Sequence, residues 1–471
     1  MKKMLNRSVL TAIAAVSALA CGFDDDPITG VQIPGGSAVI SADITTNRTL
    51  YAETTYTISG FVKVASGATL TIRPGTRILG DYNILGSSLF VLRGARIEAN
   101  GTADAPIVFT SSRPEGQRQA GDWGGLILIG RGIINRGDPT IIEGTGVGSG
   151  NPAQNYASGT DNADNSGILR YVRVEFAGYA TAQDQELNSF TFAAVGSGTT
   201  AEYLQTLNGL DDSFEWFGGA VNHRYLVSYE SGDDHFDASE GYTGRVQYAI
   251  AYQTGLLTNL RSGAGTPSSD PQGVENDGCN GSNCSAGHRS NPMTDPMFAN
   301  FTLVGPGTGT GVDGTSGGWG LLLRRGTAGY YVNSVVARWP KGAASIRDSV
   351  TGARIDEGTL VIRNMYLAEN GAVFEAGSQR YDVDQAANVI EVGAGTAAGV
   401  FTSLPAGQPG SETELDWSLV SGAEARIGGT GPFTGALATK AAGLVTGTTF
   451  RGAWDPNGTK WWQGWTRYAR N

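Results

Sequence analysis

The stretch YLQTLNGLDDSFEWFGG at 203–219 recurs at 225–241 as YLVSYESGDDHFDASEG. Seven positions match by identity or acidic type: a Tyr, a Leu, two Asp, a Phe, one further acid and the closing Gly. A third copy starts near Arg245 without the acids, and Tyr171 begins an earlier copy with a longer return. A period of about 20 residues, built of short strands with no intervening helix, excludes a βαβ protein. It predicts an all-β solenoid in which each strand pairs in parallel with its equivalent in the next coil, about 4.8 Å away.

A second similarity lies nearer the N-terminus. The run GATLTIRPGTRI at 67–78 is followed by LFVLRGARI at 89–97, which aligns Gly94 with Gly75. Each run reads as a strand, a glycine turn and another strand. We therefore expect Gly75 and Gly94, like Gly219 and Gly241, to occupy equivalent turns of successive coils, where a positive φ suits glycine.

The composition agrees with a turn-dense β-protein. The 471 residues include 70 glycines, about twice the usual frequency, and only 16% are charged. Glycine without a strict three-residue period excludes collagen, and 40% hydrophobic residues exclude a disordered chain. The net charge is −11 and no basic run occurs beyond the N-terminus, so we expect no nucleic-acid partner.

The N-terminus has the pattern of an export signal. Lys2, Lys3 and Arg7 precede an apolar run at 8–20, which predicts a signal peptide over 1–20. Cys21 follows in the manner of a bacterial lipoprotein, so we expect it to carry lipid and residues 21–36 to form a tether. This predicts an outer-membrane lipid anchor and an outer-membrane or cell-surface location. Ordinary cleavage after Ala20, giving a secreted or periplasmic protein, and an uncleaved anchor are the alternatives.

Two cysteines, Cys279 and Cys284, remain once Cys21 is lipidated. They lie five residues apart in a glycine-containing loop of an exported chain, so we expect a local disulfide. A zinc site is disfavoured because the three histidines are scattered.

Several sequence motifs carry a family resemblance. Residues 67–112 resemble the opening coils of right-handed parallel β-helix proteins of the pectin-lyase-like type, and most of 40–375 resembles glycine-rich exported bacterial proteins, many of them lipoproteins of unassigned function. The motifs are AGDWGG at 120–125, DDSFEWFGG at 211–219, FTLVGP at 301–306 and the ending 452–466. The resemblance implies a β-helix over 37–375 and a β-rich extension and cap over 376–471. Residues 255–296 read as a polar excursion, and the tryptophan-rich residues at 452–471 should close the end of the solenoid.

If the repeat at 203–241 reflects successive coils, six carboxylates stack in pairs. We call them the acidic patch: Asp211 over Asp233, Asp212 over Asp234 and Glu215 over Asp237. Stacked like charges repel, so the patch needs a cation, basic partners or protonation. Ca²⁺ suits it because that ion accepts 6–8 oxygen ligands in loose geometry, and Glu275, Asp277 and Asp270 could add ligands. The alternative is neutralisation by Ser213, His235, backbone amides and Arg224 or Arg245.

Three functions follow from these features. The first is a non-enzymatic surface protein that binds a glycan, another surface ligand or a surface protein, with Trp123, Trp216 and Trp319 as a sugar-stacking platform; packing under loops is the alternative for these rings.

The second is a polysaccharide hydrolase or lyase, since Asp211, Asp212, Asp233 and Asp234 resemble the acid set of β-helical polygalacturonases. His235 would then carry a proton, and Arg224 or Arg245 would be a lyase base. The Gly-His-Gly and Arg-x-Lys motifs of those enzymes are missing. The third is a structural or adhesive fibre component.

Overall fold

The computed structural model describes residues 35–148, 150–182, 185–261, 270–281, 283–378 and 390–468. Cys21 and the predicted signal peptide lie outside these residues. The described strands are β1 Gly36–Ile40, β2 Arg48–Leu50, β3 Thr54–Ile58, β4 Phe61–Val64, β5 Thr69–Ile72, β6 Arg77–Gly80, β7 Ser88–Val91, β8 Arg96–Asn100, β9 Ile107–Ser111, β10 Gly125–Ile129, β11 Gly167–Glu175, β12 Ala180–Ala182, β13 Gln185–Glu186, β14 Phe190–Ala193, β15 Thr200–Gly209, β16 Phe214–Phe217, β17 Asn222–Ser231, β18 Phe236–Ser239, β19 Arg245–Tyr252, β20 Val274–Asp277, β21 Met297–Val304, β22 Trp319–Arg324, β23 Gly329–Ala337, β24 Gly342–Ile346, β25 Leu360–Ala368, β26 Ile390–Val392, β27 Phe401–Ser403 and β28 Asp416–Leu419.

Helices are few and short. They are α1 Ser349–Asp356, α2 Ala397–Val400 and α3 Gly435–Ala441, with 3-10 turns at Gly287–Arg289, Val312–Gly314, Glu412–Glu414 and Glu424–Arg426. Within the described part of the chain, none of the helices is long and apolar enough to cross a membrane.

Two long sheets enclose the core. The nine-stranded sheet has the order β24-β22-β20-β18-β16-β14-β10-β7-β4. The fifteen-stranded sheet runs from β1 through β3, β6, β9, β11, β15, β17, β19, β21, β23 and β25 to β26, with β2, β5 and β8 alongside. The pairings that join β14, β16, β18, β20 and β22, and β15, β17 and β19, are parallel and link each strand to its equivalent one coil later. The predicted all-β fold is confirmed, and the architecture is consistent with a right-handed parallel β-helix.

The repeat that begins at Tyr203 and again at Tyr225 is one coil. Leu204 pairs with Leu226, and Phe214 pairs with Phe236. Gly219 and Gly241 follow the paired strands β16 and β18 with φ of 73° and 89°, as predicted. Along the core side of these strands, Phe190, Phe214 and Phe236 stack with ring centroids 5.2 and 5.6 Å apart.

The similar runs 67–78 and 89–97 are not equivalent parts of successive coils, so the prediction that Gly75 and Gly94 occupy equivalent turns is wrong. Leu70 pairs with Ile97 rather than with Leu89, the residue that the similarity aligns with it. The Gly94 carbonyl accepts a hydrogen bond from Gly67 N–H, so Gly94 lies beside Gly67 rather than Gly75. Both runs are strand–glycine–strand corners, and the alternation of apolar residues cannot distinguish one corner of a coil from the next.

The fifteen-stranded sheet bends at one residue in each of seven successive coils. All seven residues have a left-handed backbone: Tyr171, Tyr203, Tyr225 and Tyr248 at φ 49–63°, then Asn300, Asn333 and Asn364 at φ 54–57°. The tyrosine rings stack with centroids 4.3, 4.4 and 5.3 Å apart. The bend turns each long strand onto a second face of the solenoid.

Residues 255–296 are not wholly an excursion. They contain β20, which pairs with β18 and β22. Val274 and Asn276, which alternate along this strand, are buried in the core. Cys279 and Cys284 form the predicted disulfide just after this strand. A loop over 130–166, which the sequence did not single out, covers the outer face of the nine-stranded sheet through Ile134, Ile142 and Tyr156.

The C-terminal segment covers the side of the solenoid rather than its end. Trp465 meets the rings of Tyr171 and Tyr203 edge-on, with centroids 5.6 and 6.1 Å away. Arg467 N–H donates a 2.7 Å hydrogen bond to Gln205 Oε1. The outer side of the fifteen-stranded sheet has its own apolar row, including Phe176, Leu207 and Tyr229, which the buried Trp462 and Tyr468 cover.

Candidate metal centre

Three adjacent strands bring acids into one outward-facing row. Glu215 on β16 pairs with Asp237 on β18, which pairs with Glu275 on β20. Because side chains alternate along a strand, the neighbouring Phe214 and Trp216 point into the core while the acids point away from it. Glu275 therefore joins the acidic patch as part of a third coil, and the seven residues together are called the acidic cluster.

The Asp-Asp turns before β16 and β18 hold the coils together. Asp212 Oδ1 accepts the N–H of Asp234 at 2.8 Å, and Asp234 Oδ1 accepts the N–H of Gln272 at 2.9 Å. The same bond continues at both ends: Asn188 Oδ1 accepts from Asp212 at 3.2 Å, and Gln272 Oε1 accepts from Trp319 at 2.9 Å. Since Asn and Gln make this bond without a charge, the charge at Asp212 and Asp234 is not needed for it.

The acids are close enough for several of them to act as ligands of one cation. Oxygens of three sets lie within 4.8 Å of one another: Asp211 with Asp212 and Asp233, Asp212 with Glu215 and Asp237, and Asp234 with Asp237 and Glu275. Asp212 and Asp237 each belong to two sets, so the oxygens form a continuous acidic line along the coil axis.

Burial makes this line electrostatically costly. Asp211, Asp212, Glu215, Asp234 and Glu275 are only 3–7% exposed. Burial, followed by repulsion from neighbouring acids, raises the pKa of the first four and of Asp237 well above the usual range. Burial and Asp277 raise the pKa of Glu275 to about 7.

Within the described ranges, the ion pairs along this line lie at its β20 end. Arg324 pairs with Glu275 and Asp277, and Arg325 also pairs with Asp277. At the other end, the Asn188 amide donates to Glu215.

Five acids of the line have no basic partner among the residues that the structure describes. Among the described residues, no Lys, Arg or His lies within 4.0 Å of the carboxylates of Asp211, Asp212, Glu215, Asp234 or Asp237. Asp237 Oδ1 is buried without a hydrogen-bond partner in this part of the chain. A hard cation held by carboxylate oxygens fits this donor set.

Other predicted contributors lie elsewhere. Asp277 is occupied by the two arginines, and Asp270 accepts from Ser316. Arg224 and Arg245 are on the fifteen-stranded sheet, where they donate to the carbonyls of Leu444 and Lys440. The prediction that they neutralise the acids, or act as a lyase base beside them, is wrong, although backbone amides do bond the acids as expected.

His235 is not a proton carrier of the predicted kind. It is fully buried, its Nδ1 lies 2.6 Å from Ser228 Oγ, and its ring meets Trp339 edge-on. Burial lowers its pKa to about 3 rather than raising it. The imidazole is therefore neutral at physiological pH. Ser213, also expected to help the acids, bonds Ser231 instead.

The three tryptophans of the expected sugar platform face inward. Trp123 and Trp216 are fully buried and Trp319 is 6% exposed. Trp123 Nε1 donates to the Glu175 carbonyl at 2.8 Å, and Trp216 Nε1 donates to His223 Nε2 at 2.8 Å. None of these rings presents a face on which a sugar could stack, and packing is their role in the structure.

Two further acids near the cluster could not be found from the repeat. Glu143, in the loop over 130–166, and Glu186, in β13, are near enough that their charges raise the pKa of Asp211. Neither belongs to a repeated position, so no periodic signal identified them. Asn188 was detectable in principle, since it stands one coil before Asp212 in the same register.

These features define a class: a parallel β-helix with a buried acidic line on one sheet. A family model described as a pectate-lyase-like beta helix domain matches residues 42–417, and the chain belongs to that family. No curated protein and no solved structure matches the chain.

Proposed function

We propose that the protein is an exported, lipid-anchored surface protein that holds Ca²⁺ in the acidic cluster and binds a glycan or other surface ligand with its β-helix. The observation that carries the proposal is the set of five acids, Asp211, Asp212, Glu215, Asp234 and Asp237, that have no basic partner among the described residues. Burying unpaired carboxylates is costly unless a proton or a cation compensates them.

Ca²⁺ is favoured over other cations by the donor set. Every candidate ligand is a carboxylate oxygen, and such oxygens select Ca²⁺ or Mg²⁺ over metals that prefer imidazole or thiolate. Mg²⁺ demands near-octahedral geometry, whereas Ca²⁺ accepts irregular sets of 6–8 oxygens. Ligands that are repeated once per coil form an irregular set of oxygens more easily than an octahedron.

The surface and carbohydrate parts of the proposal have separate support. Membership of a pectate-lyase-like family fits a surface or carbohydrate-related role. The export signal and Cys21 support a lipid anchor. The acidic cluster supports the ion part of the proposal.

Thermal unfolding of the purified protein tests the metal. After treatment with EDTA, addition of Ca²⁺ should raise the melting temperature by several degrees, since a ligand that binds only the folded state stabilises it. Mg²⁺ at the same concentration should have a smaller effect. An unchanged melting temperature, with no Ca²⁺ retained after dialysis, would remove the ion from the proposal.

One observation favours the hydrolase alternative. One carboxylate oxygen from each of Asp211, Asp212 and Asp233 lies within 4.8 Å of the other two, near the separation of about 5 Å between the carboxyl groups of retaining glycosidases. The raised pKa of Asp211 would suit a general acid. A screen of neutral and acidic polysaccharides for reducing ends or unsaturated products, with Asp233→Asn as the inactive variant, decides it. Activity retained by this variant would exclude the proposed catalytic site.

A further inference from the structure

A groove of about 320 Å³ lies on the fifteen-stranded sheet, across the core from the acidic cluster. Its floor is formed by β15, β17 and β19, and its wall by residues 443–445, which follow α3. This volume is at the lower end of the range for small-molecule sites. The side chains used below are Ser197, Thr200, Asn222, Arg224, Arg245 and Leu444.

Two arginines in the groove carry unbalanced charge. Arg224 donates to the Leu444 carbonyl, and Arg245 donates to the Lys440 carbonyl and, at 3.4 Å, to Asn222 Oδ1. Neither forms a salt bridge with an acid of the described ranges.

The other charges at the groove are matched. Glu202 accepts from Arg170 at 2.7 Å, and Lys440 lies 2.7 Å from Asp295. The groove is therefore locally positive in a protein of net charge −11. Burial lowers the pKa of Arg245, while the charge of Asp295 acts in the opposite direction.

We propose that this groove binds the carboxylate group of a small hydroxylated molecule. A guanidinium carries five N–H donors, so one bond to a backbone carbonyl, with a second from Arg245 to Asn222 Oδ1, orients each arginine and leaves donors for a ligand. Paired donors of this kind match the two oxygens of a carboxylate.

The remaining lining residues suit hydroxyl groups. Ser197, Thr200 and Asn222 offer neutral hydrogen-bonding groups beside the arginines. Leu444, 45% exposed, gives an apolar edge for the carbon skeleton. An acidic sugar and a free hydroxy acid share this chemistry.

Isothermal titration of the full-length protein at low ionic strength tests the site. Glucuronate and malate are the probes, and glucose is the neutral control. Binding of either acid, with none for glucose, is expected; tighter binding of glucuronate identifies an acidic sugar, and tighter binding of malate a hydroxy acid. The proposal is overturned if glucose binds as well as the acids, or if neither acid binds more tightly than about 10 mM.

Two variants locate the binding. Arg224→Gln and Arg245→Gln should each weaken the binding of the acidic probe about tenfold or more, the effect expected for losing a charged hydrogen bond. Arg96→Gln removes an arginine that is paired with Glu98 outside the groove, and should leave binding unchanged. Wild-type affinity in both groove variants contradicts the proposal.

A third variant guards against misfolding, since Arg245 also holds α3 and Arg224 the segment after it. Thr200→Trp should fill the groove while both arginines stay, and should abolish binding with a wild-type melting temperature. Binding retained in this variant counts against the groove. The groove does not depend on the acidic cluster. Binding of glucuronate or malate should therefore persist in EDTA even if the Ca²⁺ proposal fails.

Discussion

The carboxylate of Asp212 accepts a 2.8 Å hydrogen bond from the backbone N–H of Asp234, the residue at the same position one coil later. One oxygen of Asp212 thus joins two coils. The same side chain lies within 4.8 Å of Glu215 and Asp237. Coil pairing and the proposed ion site therefore meet in one side chain, and substitutions can separate the two roles.

Asp212→Asn should keep the bond to Asp234 and remove a buried charge. In EDTA we expect it to be at least as stable as the wild type, and to lose most of the stabilisation by Ca²⁺. Asp212→Ala should be less stable than Asp212→Asn by about 1–3 kcal/mol, because the buried N–H of Asp234 is left without an acceptor. Urea unfolding in EDTA measures the difference. Equal stability of the two variants would contradict the role assigned to the bond.

Stability without divalent ions should fall as the pH rises. A carboxyl whose folded pKa is raised stabilises the fold at pH values below its unfolded pKa, and this contribution is lost as the pH rises through the folded pKa. The window opens near pH 4, where free Asp and Glu titrate, and includes the pKa of Glu275 at about 7. The gain in melting temperature from Ca²⁺ over EDTA should therefore grow between pH 5 and pH 8. Asp237→Asn should flatten this dependence, and a gain that shrinks with pH would refute it.

Gly219 and Gly358 separate backbone strain from crowding. Both have a left-handed backbone, with φ of 73° and 71°. A Cβ at Gly219 would lie 2.5 Å from the Val195 carbonyl oxygen, whereas one at Gly358 would meet nothing within 4 Å. We expect Gly358→Ala to cost about 1–2 kcal/mol. Gly219→Ala should cost clearly more, because backbone atoms must move; equal losses of unfolding free energy would show that the coils yield easily.

Trp465→Ala should destabilise the protein by about 3–5 kcal/mol, as expected for a buried aromatic ring. The ring is 1% exposed and packs on Tyr171 and Tyr203. Trp461→Ala, which removes a partly buried ring beside Tyr225, is the matched control and should cost less. Chemical denaturation gives both values. A negligible loss for Trp465→Ala would mean that the C-terminal segment is not bound tightly to the coils.

The repeat at 203–241 was enough to predict the fold and the pairing of Asp212 with Asp234, because similar coils repeat both sequence and register. Sequence similarity failed at 67–97, where Leu70 pairs with Ile97 and the corners within one coil resemble one another. It also missed β20, since a strand embedded in polar loops has little periodicity. The direction of Trp216 could not be predicted, because aromatic residues suit both the core and a binding face, and only strand alternation decides between them.

The C-terminal segment changes how the solenoid must fold. Coils of a simple repeat protein contact only their neighbours, so such proteins can fold progressively and fray from their ends. Here Trp465 and Arg467 bond to Arg173 and Gln205, which lie 292 and 262 residues earlier. Such distant contacts favour slow, cooperative folding. The middle coils can complete their outer side only after the last residues have been synthesised. The protein should therefore unfold as one unit, and its folding should be completed after the whole chain has been made rather than coil by coil during synthesis.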